Sequence, residues 1–194
     1  MKKFFGLFGF VFLLLASCQN AHSTKDHGQK SAEKTEAELK SQAQLIVQFS
    51  SQALLEKLQK SIEDQGLTGA VDFCKLEALA ITDSLSLAFG VDIKRVSAKN
   101  RNSANAPHGE DKKYLDQFEN QGELAVPVLV QVKDKYTYFA PIRVAGALCL
   151  NCHGMLNETM TSQQFEHIKE SYPEDKAFGY SLGDLRGMWK ITYN

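Results

Sequence analysis

Glu123-Leu-Ala-Val-Pro-Val-Leu-Val-Gln-Val132 and Tyr136-Thr-Tyr-Phe-Ala-Pro-Ile-Arg-Val144 are the stretches that decide the fold of this 194-residue chain. Both are rich in Val, Tyr, Phe and Ile, which favour β-strands. The polar Lys133-Asp134-Lys135 separates them. The pattern therefore predicts a β-hairpin.

The rest of the chain supplies helices before this hairpin and one further strand on each side of it. Apolar residues recur with the helical period over residues 35–65 and 68–88, and Gly66 and Gly90 end the two runs. Residues 91–97 and 187–193 have strand character, and residues 114–118 and 162–170 add short helices. Two helices followed by strands predict a single α+β domain built around one antiparallel sheet.

The second hairpin strand leads into Cys149-Leu-Asn-Cys-His153, a Cys-x-x-Cys-His pentad typical of c-type haem attachment. Two thiols on one helical turn can add to the two vinyl groups of a haem, and the adjoining imidazole can bind the iron. A disulfide or a zinc site is the alternative, although zinc needs about four ligands and the pentad offers three. The pentad predicts one covalently attached haem c, with His153 as an axial ligand.

The N-terminus has the features of an export signal. Lys2 and Lys3 precede an apolar run of about a dozen residues, which is too short to span roughly 30 Å of hydrocarbon. Leu15-Ala-Ser-Cys18 resembles a bacterial lipobox, in which the cysteine becomes the lipidated first residue of the mature protein. We expect residues 1–17 to be a removed signal peptide and Cys18 to carry a membrane anchor of several acyl chains.

Residues 18–34 are polar after the cysteine and are expected to form a flexible tether, which leaves residues 35–194 as the folded domain. Loss of Lys2 and Lys3 with the signal would reduce the 22 basic residues to 20, against 23 acidic ones. This slightly negative balance excludes the basic surface that nucleic-acid binding requires.

Cys74 is the cysteine left over when Cys18 is assigned to lipid and the pentad cysteines to thioether bonds. Its position in the helical period predicts that it points inward, where a cysteine often serves only as a small apolar residue. The second axial position on the iron therefore stays open on these grounds. Five other side chains compete for it: Met155, Met160, Met188, His108 and His167.

Several separated motifs occur in a fixed order across residues 39–193. They are Cys74, Arg95-Val-Ser97, Arg101-Asn102, Asn105, Pro107, Tyr138, Pro141, Cys149 to Gly154, Tyr172-Pro173, Asp175, Ala177, Gly179-Tyr180, Gly183-Asp184 and Arg186-Gly187. In this order they resemble a bacterial family of single-haem c-type domains with a PAS-like fold. Ser103 stands where that family often has proline, and Glu110-Asp111 replaces an aromatic-acidic pair.

The resemblance implies a haem iron held between His153 and the thiolate of Cys74, inside a PAS-like antiparallel sheet preceded by two helices. A thiolate donor favours ferric iron and a low reduction potential. Arg95, Arg101 and Arg143 are candidates to bind the two haem propionates, because a guanidinium forks onto a carboxylate.

We therefore expect a redox sensor or one-electron carrier rather than an enzyme, since an iron with both axial positions filled has no open site for peroxide. The alternatives are a haem-based sensor of nitric oxide or carbon monoxide and a small peroxidase in which His108 handles protons. The expected location is extracytoplasmic, on a bacterial membrane facing the periplasm. The redox partner protein is unknown, and a homodimer is left open.

Overall fold

Five α-helices and four strands make up residues 34–194, the part of the chain that the computed structural model describes. In chain order they are α1 (Glu36–Leu76), α2 (Ala78–Phe89), β1 (Val91–Val96), α3 (Asp111–Gln121), β2 (Val128–Val132), β3 (Lys135–Arg143), α4 (Ala147–His153), α5 (Ser162–Ser171) and β4 (Leu185–Tyr193). The predicted signal peptide, the lipidated Cys18 and nearly all of the predicted tether lie outside the described residues. Within residues 34–194, no helix has both the length and the apolar character that a membrane span requires.

The four strands form one antiparallel sheet in the order β1-β4-β3-β2. The predicted hairpin is confirmed: Val128 pairs with Phe139, and Val132 pairs with Lys135 across a turn at Lys133 and Asp134. Strand β2 begins five residues later than predicted, because a 3₁₀ turn occupies Gly122–Leu124 and Pro127 has no N–H to donate to a ladder. The α+β, PAS-like class with helices before the sheet is confirmed.

Helices cover both faces of the sheet. On one face, α1 contributes Ile46 to a core that also holds Ile93, Tyr138 and Trp189. On the other face, helix α3 packs against Phe139, whose ring stacks on Tyr114 with centroids 4.2 Å apart; the other α3 residues in this core are Leu115 and Phe118. Tyr138 and Phe139 point to opposite faces because side chains alternate along a strand. The sheet therefore lies between two helical layers, and the site lies at its loops and strand ends.

Helix α1 is broken at Gly66, whose φ of 72° and ψ of −171° lie in a region open essentially to glycine. We call residues 67–76 the Cys74 limb. The prediction of one continuous helix over residues 68–88 is wrong, since the helix ends at Leu76 and α2 begins at Ala78. The sequence gives no stop signal there, because Glu77 favours helix and the apolar period continues across it.

Candidate haem site

The pentad forms the last five residues of α4, a helix that begins four residues after β3 ends. Cys149 and Cys152 are unpaired, and their spacing of three places both thiols on the same side of the helix. Gly154 ends the helix by donating its N–H to the carbonyl of Leu150 at 2.9 Å. A Cβ on Gly154 would collide with that carbonyl and with the side chain of Thr159. Glycine is therefore required here for close approach.

His153 is held by its Nδ1 atom, which lies 2.7 Å from the carbonyl oxygen of Ala177. Burial lowers the pKa of His153 well below its ordinary value, with smaller contributions from the positive charges of Arg186 and Arg101. A neutral imidazole that donates Nδ1–H to a carbonyl keeps the lone pair on Nε2. The side chain therefore has the tautomer that a metal ligand needs.

Arg101 connects the pentad to the loop that holds His153. Its Nε lies 3.2 Å from Oδ1 of Asp175, and its Nη2 donates to the carbonyls of Cys152 at 2.5 Å and Ala177 at 3.3 Å. The Asp175 oxygen also accepts the Ala177 N–H at 2.9 Å. Both side chains are largely buried. Arg101 thus positions the backbone around His153 and has most of its donors in use.

Replacing Asp175 by alanine is expected to destabilise the folded protein by about 3–5 kcal/mol, because the buried Arg101 charge loses its counter-ion. Urea unfolding followed by circular dichroism measures this free energy. The control is Asp116→Ala on α3, which removes an exposed carboxylate. A loss no larger for Asp175→Ala than for the control would show that this ion pair does not hold the loop.

Two cavities lie side by side next to His153 and share Arg95 and Ile142 as walls. The polar one measures about 150 Å³ and includes Ser97, Arg101, His153 and Arg186 among its lining residues. The other measures about 240 Å³ and is mostly apolar; its further lining residues are Ser51, Leu54, Leu55, Leu58, Phe73, Cys74, Ala78 and Trp189. A ligand with an apolar ring system and carboxylate substituents matches this pair of surfaces.

Cys74 lines the apolar cavity, which shares Arg95 and Ile142 with the cavity of His153. Burial raises the pKa of the Cys74 thiol, and the nearby charges of Arg95 and Arg101 oppose this rise. The thiol is neutral until it binds a metal, which deprotonates a coordinating cysteine. The other candidates for the second axial position line neither cavity: Met155, Met160, Met188, His108 and His167.

Arg95 and Arg186 are the guanidinium groups with donors to spare. Within residues 34–194, the Nε of each is buried and has no hydrogen-bond partner. Burial lowers the pKa of both groups below the ordinary value. Arg186 is oriented by its Nη1, which donates to Ser97 Oγ at 2.9 Å and to the Lys99 carbonyl at 3.2 Å. An anionic ligand in the polar cavity would compensate both buried charges.

Arg143 lines neither cavity. Its guanidinium donates to the carbonyls of Gly183, Phe118 and Gly122, which fixes the loops around the end of β3. Arg186, which was not among the arginines predicted to bind propionates, lines the polar cavity. The motif Arg186-Gly187 is part of the family resemblance, but its contacts are with residues almost ninety positions earlier in the chain.

The residues present fit a covalently attached haem. Cys149 and Cys152 offer two free thiols. His153 offers a neutral imidazole whose Nε2 can bind iron. Arg95 and Arg186 offer buried Nε donors that could bind the haem carboxylates. Cys74 is also unpaired, so no disulfide joins these three cysteines. In the described range no three His, Cys, Asp or Glu side chains cluster as a metal site.

Comparison with known proteins gives a family and a solved structure. The sequence model of the Tll0287-like family matches residues 17–194. The crystal structure described as that of the cyanobacterial heme-protein Tll0287 is similar to this chain with a TM-score of 0.53. The two are 29% identical, and the match covers 72% of this chain and 89% of the other. No curated protein sequence matches the chain.

Proposed function

This chain belongs to the Tll0287-like family, a family of haem proteins, and from that premise we propose that it is an extracytoplasmic c-type haem protein that acts in redox sensing or one-electron transfer. One haem would be attached through Cys149 and Cys152. His153 would be one axial ligand and Cys74 the other. When bound, this group supplies a one-electron ferric/ferrous couple.

The observation that carries the proposal is the hydrogen bond from His153 Nδ1 to the Ala177 carbonyl, 2.7 Å long. It directs the metal-binding Nε2 away from the backbone, and it makes the imidazole a stronger donor by holding its other nitrogen. His153 also lines the polar cavity that adjoins the cavity of Cys74. The two donors thus line neighbouring cavities that share Arg95 and Ile142.

Cys74 would set the electronic properties of the site. An anionic thiolate stabilises the ferric form more than the ferrous form, so it lowers the reduction potential. Arg95 lies close enough for its positive charge to act on this thiol. That positive charge would oppose part of the lowering of the reduction potential by the thiolate. Because ferrous iron attracts a thiolate less strongly, Cys74 is the ligand whose bond weakens on reduction.

Arg95 and Arg186 would bind the haem carboxylates. Each has a buried Nε without a partner in residues 34–194, and both line the polar cavity. Arg101 already contacts Asp175 and the pentad backbone, so its part would be to position the loop behind His153. An anion beside these two guanidiniums would reduce the penalty of burying their charges.

We favour electron transfer or sensing over peroxidase chemistry. A peroxidase needs a proton-handling side chain next to an open iron position. His108, the sequence candidate, lines neither cavity, and its backbone N–H is bound to the Asp111 carboxylate beside α3. In the proposed arrangement Cys74 would fill the iron position that a peroxidase needs to keep open.

The proposed location is a bacterial membrane surface facing the periplasm. Its support is the N-terminal sequence, with an export signal before Cys18 and a lipobox around it. Haem c attachment also takes place outside the cytoplasm, in agreement with this location. The partner we propose is a redox protein, approached through the tether from a lipid anchor.

A haem-based sensor of carbon monoxide or nitric oxide is the second candidate. The apolar cavity of about 240 Å³ beside Cys74 favours it, since a diatomic gas would have room there once the thiolate leaves. This role uses the same haem and the same ligands, and differs in what displaces Cys74.

Carbon monoxide titration of the reduced protein separates the two roles. We expect slow or absent binding, because Cys74 and His153 occupy both axial positions in an electron carrier. Stopped-flow absorption after mixing with the gas measures the rate. Fast binding that rises in proportion to the gas concentration would contradict the electron-transfer proposal and support the gas sensor.

A further inference from the structure

The Cys74 limb begins after a break in the helical backbone. Gly66 ends the long first part of α1 with a conformation essentially restricted to glycine. At the other end, only Glu77 separates the limb from α2, and it keeps right-handed helical angles and the hydrogen bonds of its N–H to Phe73 and of its carbonyl to Ile81. The ten residues that carry a proposed iron ligand thus continue into α2 and are joined to the first part of α1 by one non-helical link, Gly66.

The limb has open space on two sides. A cleft of about 370 Å³ separates it from the first part of α1, with Lys60 and Asp64 on one wall and Asp72 and Phe73 on the other. The apolar cavity lies on another side, where Phe73 and Cys74 form part of the wall. The limb thus borders a cleft on one side and the apolar cavity on another.

Helix α5 is the element that holds the limb. Val71 packs against Ile168 and Tyr172. Asp72 lies 3.5 Å from Nε2 of His167. These contacts join the limb to α5 along one side of the limb.

Gln164 of α5 joins the limb to the pentad. Its Nε2 donates to the carbonyl of Leu67, the first residue of the limb, at 3.3 Å. The same nitrogen lies 3.5 Å from Sγ of Cys152. Its side chain is buried, and nothing in the pentad motif or the helical pattern singles it out. One amide therefore connects the proposed haem-attachment helix with the segment that carries the opposite ligand.

We propose that Gln164 is a positioning residue that holds the Cys74 limb against the haem-attachment helix, and that Gly66 is the hinge about which the limb moves when Cys74 leaves the iron. This inference rests on the proposed function, because it assumes that Cys74 binds the iron. Gln164 would set how fast that ligand is released, and Gly66 would allow the limb to reach the bound position at all.

The test uses cyanide binding to the ferric holoprotein. If Cys74 must leave first, the rate levels off at high cyanide concentration, and the plateau is the release rate. Gln164→Leu is expected to raise the plateau about fivefold, the factor that corresponds to the loss of one hydrogen bond worth ~1 kcal/mol. The control is Gln163→Leu, which changes an exposed neighbour on the same helix.

Alanine at Gly66 tests the hinge. Alanine disfavours this backbone conformation and favours continuous helix, which would carry the limb away. We expect Gly66→Ala to lose the thiolate signature from its ferric absorption and spin-resonance spectra. Gly90→Ala is the control, since Gly90 also has positive φ and open space around its Cα, yet lies at the end of α2.

The outcomes separate this inference from the proposed function. If Cys74→Ala leaves the ferric spectra unchanged, Cys74 is not a ligand and both proposals fail. If Cys74 is a ligand but Gln164→Leu has the plateau of Gln163→Leu and Gly66→Ala keeps the thiolate signature, the inference alone is overturned. Circular dichroism confirms that each variant is folded, and an unfolded Gly66→Ala would leave the Gln164 plateau as the deciding result.

Discussion

A variant with serine at both Cys149 and Cys152 is expected to be purified without covalently attached haem, whereas the wild-type chain is expected to carry one haem. Thioether bonds form from thiols, and a serine hydroxyl does not replace them. The two cysteines are unpaired and lie on one turn of α4, where both reach the same side. Intact mass after denaturation, from cells that mature c-type cytochromes, measures the effect.

Cys74→Ser is the matched control for this experiment. It makes the same atomic change at the third cysteine of the described domain, outside the pentad. The control is expected to keep the mass of one haem in full, because Cys74 has no part in the covalent attachment. Haem that stays bound to the double serine variant in denaturant would contradict the assignment of the pentad.

The second large effect is expected from Cys74→Ala. Loss of the thiolate should change the ferric absorption and spin-resonance spectra and raise the reduction potential. Axial ligands set haem potentials over about 0.8 V, so we expect a rise on the order of 100 mV. Burial raises the pKa of the Cys74 thiol, so the thiol is neutral in the protein without haem. Its replacement by alanine therefore removes no charge from the folded domain. Spectroelectrochemical titration of both proteins measures the shift.

Ser51→Ala is the control, since Ser51 also lines the apolar cavity but is no ligand candidate. Its potential is expected to stay at the wild-type value. Unchanged spectra in Cys74→Ala would refute the thiolate ligand. A shift of the reduction potential of equal size in Ser51→Ala would show that cavity polarity, and not the loss of a ligand, causes the change.

The fold was accessible from the sequence where local signals were strong. The hairpin of β2 and β3 follows from two β-rich runs around a polar turn, although Lys135 of the predicted turn belongs to β3 and pairs with Val132. Helix α3 is longer than predicted, since it begins at Asp111, whose carboxylate accepts the N–H of His108. The break at Glu77 was missed because no glycine or proline marks it. The interruption is confined to that residue, whose N–H and carbonyl keep their helical hydrogen bonds.

The site residues also divide into those that local sequence signals predict and those that only the folded structure reveals. The pentad is a local motif, so Cys149, Cys152 and His153 could be found by spacing alone. The roles of Arg143 and Arg186 depend on which loops come together after folding. Arg143 is satisfied by nearby carbonyls, whereas Arg186 has a buried Nε without a partner in the described residues. Gln164 was missed for the same reason, since its two contacts lie on different elements.

The central claim is that this domain carries a c-type haem, and the reduced-minus-oxidised absorption spectrum of the purified wild-type protein tests it most directly. We predict the Soret and visible bands of a low-spin c-type haem, which remain with the chain after acid-acetone extraction. A spectrum without haem bands, from cells that mature other c-type cytochromes, would contradict the account.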